Sequence, residues 1–263
     1  MDYISKMTPD GRNVRVKDYK KRIKRNRRRR KIFFFSFLLL CLILFLRFAP
    51  LFKITKIECI DNAIVPSEEI ITASTIGYDR NLFGTGSKKA RMLIEKIPYV
   101  ASAKIKKKLP GTIQIEITES RVFGFVPLNE GYIYIDENCK MLEYNTNAPD
   151  AAVPLISGTG VQSFEGGKLL QTDDEDKIKM ITEAIRAAYS NFALESFTSI
   201  DVTDTGQLTI FYGYNLEAFF GSTVDIDYKT KFMLNAIANL GENPKGYINV
   251  SNPEAGANHR DVK

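Results

Sequence analysis

Five consecutive basic residues, Arg27, Arg28, Arg29, Arg30 and Lys31, run directly into Ile32–Leu46, fifteen residues interrupted only by Ser36 among Phe, Leu, Ile and Cys41. No other feature constrains the chain as strongly, because such a run is too greasy for a solvated surface and too far from any sheet pattern to be a strand. As a helix it rises roughly 22 Å, short of the ~30 Å hydrocarbon core of a bilayer. Extension to Phe52 gives about 31 Å and takes in Arg47, which can snorkel to the far headgroups. The sequence is read as one membrane span, 32–52. A cleaved signal peptide is the competing reading, since its apolar region commonly has 7 to 15 residues. No small-x-small cleavage site follows, and Arg47 and Pro50 stand where one is needed. An uncleaved anchor is therefore favoured.

The formal charge of +6 divides unevenly. Residues 1–31 hold fourteen Lys and Arg against three Asp, whereas 32–263 hold twenty-three basic and twenty-eight acidic residues. Basic residues abutting an apolar span are what the positive-inside rule places on the cytoplasmic side, so the arginine run reports topology rather than nucleic-acid binding. Residues 1–31 form a cytoplasmic tail with too few apolar residues to fold alone, and disorder is expected there. The chain beyond residue 52 is external and long enough for two domains.

The first external unit, 53–120, reads strand, helix, helix, strand, strand. Ile54–Ile60 is the first strand, and Ser67 followed by Glu68 and Glu69 predicts a helix capped by Ser67. Ser87–Lys96 reads as a helix stopped by Pro98. In Ala103–Lys108 and Ile113–Thr118, apolar and polar residues alternate around Leu109-Pro110-Gly111, which predicts a hairpin with one buried face. A three-residue loop sets Lys106 opposite Gln114 and Lys104 opposite Glu116. The lysine row could reach anionic headgroups; a solvated strand face is the plainer reading.

The second unit, 121–251, is strand-rich with two helices. Strands are predicted at Val122–Val126, Tyr132–Ile135, Phe197–Val202, Leu208–Tyr212, Leu216–Phe220 and Tyr247–Val250. Helical spacing marks Asp174–Phe192 and Ile226–Leu240, and Asn145–Ala152 reads as a loop. Residues 252–263 form a short polar tail. Cys59 and Cys139 are both external; spacing alone does not decide whether they pair, and two part-buried thiols are the default.

Catalytic signals are weak. The sole histidine, His259, falls in the polar tail. Gly84-Thr85-Gly86 lacks the third glycine of a dinucleotide fingerprint, and Gly166-Gly167-Lys168 precedes Leu169 where a P-loop requires Ser or Thr. Asp173, Asp174, Glu175 and Asp176 suit a helix start better than a calcium loop. No metal, cofactor or nucleic-acid partner is indicated, and no enzymatic role.

The order of these parts resembles the FtsQ/DivIB family of bacterial cell-division proteins. Asn81-Leu82-Phe83 with Ile97–Ala103, the stretch Leu109–Ile115 with Thr118–Arg121, Val153–Gly158, and Asn243–Val250 carry the likeness. It implies an α+β architecture: a single N-terminal transmembrane helix, a POTRA-like β-α-α-β-β domain, then a larger strand-rich mixed domain with two helices. It further implies a single-pass protein of the cell membrane at the division septum, a divisome scaffold without catalytic activity. Its partners are then FtsL-like and FtsB/DivIC-like bitopic coiled-coil proteins bound through the second domain, together with the septal peptidoglycan synthase machinery and membrane lipid. A terminal strand often lies at a sheet edge, where free N–H and C=O groups accept a partner strand. Tyr247, Ile248, Asn249 and Val250 are the candidate partner-binding residues, with Tyr228 and Phe232 on the preceding helix. Substituting Ile248 is expected to weaken capture and leave the fold intact. The alternatives are a membrane-anchored extracytoplasmic cell-wall enzyme acting through carboxylates, and a secreted ligand-binding protein if the anchor is cleaved.

Overall fold

The computed structural model describes residues 13–241, 244–256 and 258–260. The described residues open with α1 (Asn13–Phe48), so Asn13–Lys31 is helical rather than disordered, and residues 1–12 of the expected tail lie outside the described residues. Lys and Arg are good helix formers, and here they continue a helix whose apolar half already supplies the nucleus. The helix ends at Phe48, short of the expected Phe52. Ala49 is extended (φ −62°, ψ 126°) because Pro50 follows it, and Pro50–Phe52 forms a single 3-10 turn. Among the described residues no helix is long and apolar enough to cross a membrane. The apolar run within α1 is only Ile32–Leu46, and Ser36 interrupts it.

Two compact units form. One gathers the N-terminal segment through Lys56 with 77–85 and 107–113; the other gathers 57–76, 86–106 and the chain from 114 onward. In the first, Asn81 is the hub. Its Oδ1 accepts from the N–H groups of Phe83 and Gly84 at 2.9 and 3.2 Å, and its Nδ2 donates to the Leu46 carbonyl at 3.0 Å, where the last turns of α1 lack intrahelical partners. Phe52 packs edge-on between Phe45 and Phe83. Gly111 has no room for a side chain, because a Cβ would lie 2.2 Å from the Lys53 carbonyl oxygen.

Residues 56–119 supply β1 (Lys56–Ile60), α2 (Ser67–Ser74), α3 (Ser87–Ile94), β2 (Val100–Lys108) and β3 (Thr112–Glu119), with sheet order β1-β3-β2. Ile113, Ile115 and Ile117 are buried on one face of β3. Lys106, not Lys104, salt-bridges Glu116, since a long side chain reaches a diagonal neighbour as readily as the residue opposite. The cap of α2 is Pro66 and Ser67 is its first helical residue; the Ser67 hydroxyl instead accepts from Asn62 Nδ2 at 3.0 Å.

The chain from 124 onward builds β4 (Gly124–Leu128), β5 (Gly131–Ile135), β6 (Met141–Asn145), β7 (Leu155–Ser157), α4 (Glu175–Ser190), β8 (Phe197–Asp201), β9 (Leu208–Tyr212), β10 (Leu216–Gly221), α5 (Ile226–Ala238), β11 (Gly246–Asn249) and β12 (Asn258–Arg260). The nine strands lie in the order β12-β11-β10-β9-β8-β7-β4-β5-β6. Pairs β4/β7, β7/β8 and β10/β11 are parallel, and α4 and α5 are the crossovers of the last two. One core runs beneath both helices, from Ile133 and Met141 through Ile181, Ile185 and Phe197 to Phe220, Met233 and Ile248. The sequence reading lacked β6, β7 and β12. Met141 and Leu142 are both buried and break alternation, β7 has three residues, and β12 is wholly polar.

The segment after α3 is held by β5–β6. Lys140 Nζ donates to the carbonyls of Glu95, Ile97 and Val100 at 2.8, 2.7 and 2.7 Å. Burial pulls its pKa down, opposed by Asp136 and Glu95. Tyr99 donates to Glu143 at 2.7 Å; burial, then Glu143, raise its pKa and keep it a donor. Gly167 (φ +81°) lies against Lys96, where a Cβ would meet the carbonyl oxygen at 1.9 Å.

Candidate partner-binding edge

The last three strands of the sheet bring the candidate residues together differently from expectation. Strand β11 is not a free edge: β10 pairs with it in parallel and β12 in antiparallel fashion. Two rows cross the three strands in register, Glu217–Tyr247–Arg260 and Ala218–Ile248–His259. Alternation sends Ile248 and Val250 into the core, both fully buried, and leaves Tyr247 and Asn249 half-buried on the other face. Ile248 is therefore a fold residue, and a charge placed there unfolds the domain before it tests an interface.

The outward row is electrostatically matched. Burial and Glu217 raise the Tyr247 hydroxyl pKa while Arg260 opposes the rise, so the phenol stays neutral. Asn249 is committed locally, its Oδ1 accepting from the Ser251 N–H at 2.9 Å and from the Ser251 hydroxyl at 2.7 Å. His259 Nε2 lies 2.9 Å from the Lys245 carbonyl oxygen and fastens β12 to the turn before β11. Nothing in Asn258-His259-Arg260 marks a strand by periodicity, so the edge itself was illegible in the sequence.

On α5, Tyr228 is exposed, whereas Phe232 is half-buried and packs against the core. Lys229 is buried, and its ammonium donates to the carbonyls of Phe220 and Ser222 at 3.0 and 2.9 Å, tying α5 to the end of β10. Desolvation lowers its pKa, with Asp225 opposing. Arg28, Arg29, Arg30 and Lys31 are exposed on α1; the side chain of Arg27 lies outside the described residues.

Carboxylates elsewhere are engaged in the backbone. Glu119 Oε1 accepts from the N–H groups of Ile64 and Val65, and Asp136 Oδ1 from those of Asn138 and Lys140. Asp174 caps α4. A depression of about 530 Å³ is lined by Tyr189, Ser190, Phe192, Leu194 and Glu195, and the Ser190 hydroxyl there donates to the Arg186 carbonyl at 2.8 Å and lies 3.3 Å from Asp227 Oδ1. Among the described residues no three His, Cys, Asp or Glu side chains cluster as a metal site. Cys59 and Cys139 are free thiols, and burial pushes Cys139 up to about 11.

Residues 52–120 match the family described as POTRA domain, FtsQ-type. The cell division protein DivIB of Clostridium botulinum is 27% identical over 240 residues, covering 90% of this chain and 91% of that protein. DivIB of Clostridium acetobutylicum is 27% identical over 203 residues, covering 77% and 80%. The chain is related to the FtsQ/DivIB proteins. A solved structure of the major extracytoplasmic domain of DivIB from Geobacillus stearothermophilus aligns at 19% identity and a TM-score of 0.30, covering 49% of this chain and 99% of that one. Residues 52–120 are called the POTRA domain below, after the family they match, and the nine-stranded region the β domain.

Proposed function

We propose that this chain is a single-pass scaffold of the bacterial division septum, which captures bitopic FtsL-like and FtsB/DivIC-like proteins and links them to the septal peptidoglycan synthase machinery without catalysis of its own. The division role rests on relatives named as cell-division proteins over most of the chain. Capture rests on one observation: among the described residues the sheet ends on β12, three polar residues long. A short edge strand is a template that an incoming strand can extend or displace.

In this reading α1 is the anchor. Ile32–Phe48 rises about 25 Å as a helix, at the low end of spanning lengths. Large side chains from Ile32 to Phe45 lie 48% to 76% exposed, a sleeve that only lipid or protein satisfies. The shortfall against the bilayer is met by local thinning and by basic residues snorkelling at the ends. Confinement to the membrane raises the effective concentration of other membrane-bound partners, so modest contacts suffice.

Co-purification from detergent tests the edge. His259→Pro disrupts β12 as a template, together with the 2.9 Å tie of the histidine ring to the Lys245 carbonyl, and is expected to reduce capture of the FtsB/DivIC-like partner by about tenfold, the loss of about 1.4 kcal/mol, while the domain still unfolds cooperatively. Undiminished capture overturns the assignment. Ile248→Lys loses capture together with cooperative unfolding, which separates the interface from the core.

A further inference from the structure

The unit that contains α1 also contains three short segments, 49–56, 77–85 and 107–113. They come from distant parts of the sequence, yet they are fastened to one place. Asn81 bonds the Leu46 carbonyl, Phe52 stacks on Phe45 and Phe83, Lys53 bridges Asn81, and the Thr55 N–H donates to the Gly111 carbonyl at 2.8 Å. Lys107 Nζ donates to the Thr85 carbonyl at 3.1 Å. The three segments thus make a collar at the C-terminal end of the apolar helix.

Two properties of the collar do not follow from packing. It exposes large apolar and aromatic side chains: Leu51 at 63%, Tyr78 at 53%, Phe83 at 45% and Leu109 at 66%. It is also basic, with Lys53, Lys56, Arg80, Lys107 and Lys108 all exposed and Asp79 the only acidic residue in the three segments. The β-domain segment 121–251 has the opposite balance, nine basic residues against eighteen acidic. A solvated surface needs no exposed leucines and aromatics among its lysines. A membrane interface selects that mixture, with aromatic and leucine side chains at headgroup depth and ammonium groups on the phosphates.

We propose that this collar binds anionic phospholipid headgroups on the membrane face from which α1 emerges. The inference rests on the reading of α1 as an anchor and deepens it. A short apolar helix draws whatever is fastened to its end down to headgroup level, and Asn81 and Phe52 are the fastening. Lipid, rather than a protein partner, is the occupant because the collar adjoins the apolar sleeve read as the membrane anchor and its charge complements phosphate. Attraction of this kind falls off within a Debye length, so proximity to the helix end is what makes it effective.

The sequence contains no tryptophan, so a single introduced one reports its own surroundings. The full chain carrying Leu109→Trp is placed in nanodiscs of brominated phosphatidylglycerol or brominated phosphatidylcholine, and Leu39→Trp is measured beside it. Binding predicts quenching of Leu109→Trp about twofold stronger in the anionic discs, declining as salt is raised. Adding Lys107→Glu and Lys108→Glu should abolish the difference; the salt series on Leu109→Trp alone decides the matter if that variant fails to fold. Strong quenching of Leu39→Trp with none at Leu109→Trp overturns the collar and leaves the anchor. Equal, salt-independent quenching of Leu109→Trp in both discs overturns the headgroup assignment. An unquenched Leu39→Trp overturns the anchor, and the collar with it.

Discussion

The POTRA domain and the β domain close their folds by different means. In the POTRA domain the buried polar residues are Ser74 and Ser120, and its loops are held by short side chains accepting from the backbone, as Asn81 and Glu119 do. The β domain buries Asp136, Thr159, Lys177, Lys229 and Thr230. Its lysines act as collectors of main-chain carbonyls: Lys177 bonds Gly158 at 2.6 Å, and Lys229 bonds Phe220 and Ser222. The difference follows from connectivity. Parallel pairs need crossovers, a chain leaving the sheet toward a crossover helix strands its carbonyls, and a long ammonium stem can reach them from the helix.

If this contrast is right, the largest loss comes from the collectors. Lys229→Met keeps the aliphatic packing but leaves two carbonyls without a donor, and should lower unfolding stability by about 2 kcal/mol. An unchanged urea midpoint shows that water replaces the ammonium. A smaller loss, about 1 kcal/mol, is expected for Asn81→Ala in the POTRA region, because one cap is removed from a short turn; differential scanning calorimetry checks it, and a loss exceeding that of Lys229→Met reverses the comparison. The smallest effect is at the surface. Lys106, through its hydrogen bond and charge, holds the Glu116 carboxyl below its ordinary value of 4.5. A depressed folded-state pKa contributes stability that is present above pH 4.5 and lost as pH falls through the folded value. Glu116→Gln should therefore lower the urea midpoint slightly at neutral pH and leave it unchanged in acid, which flattens the acid limb of the titration; an unaltered acid limb removes the pair from the account.

Legibility in the sequence followed periodicity. The hairpin around Leu109–Gly111 and the helices α4 and α5 were visible because one buried face imposes a period of 2 or 3.6 over eight or more residues. Strands β7 and β12 have three residues each and carry no period. The missing β12 misplaced the candidate edge by one strand and turned Ile248 from a core residue into an apparent contact. The helix end was misjudged because apolar character continues through Leu51 and Phe52, while backbone geometry is set by Pro50. Lys140 looked like any charged turn residue, since its three acceptors lie about forty or more positions away. Pairings at that separation leave no local pattern to read.

The Lys140 ammonium has a mechanical consequence. Three carbonyls of one short stretch share a single cation, and the stretch leads from α3 into β2. Withdrawing the lysine releases all three together. One side chain thus sets the path of the chain between α3 and β2, as a clasp holds a strap at a single point.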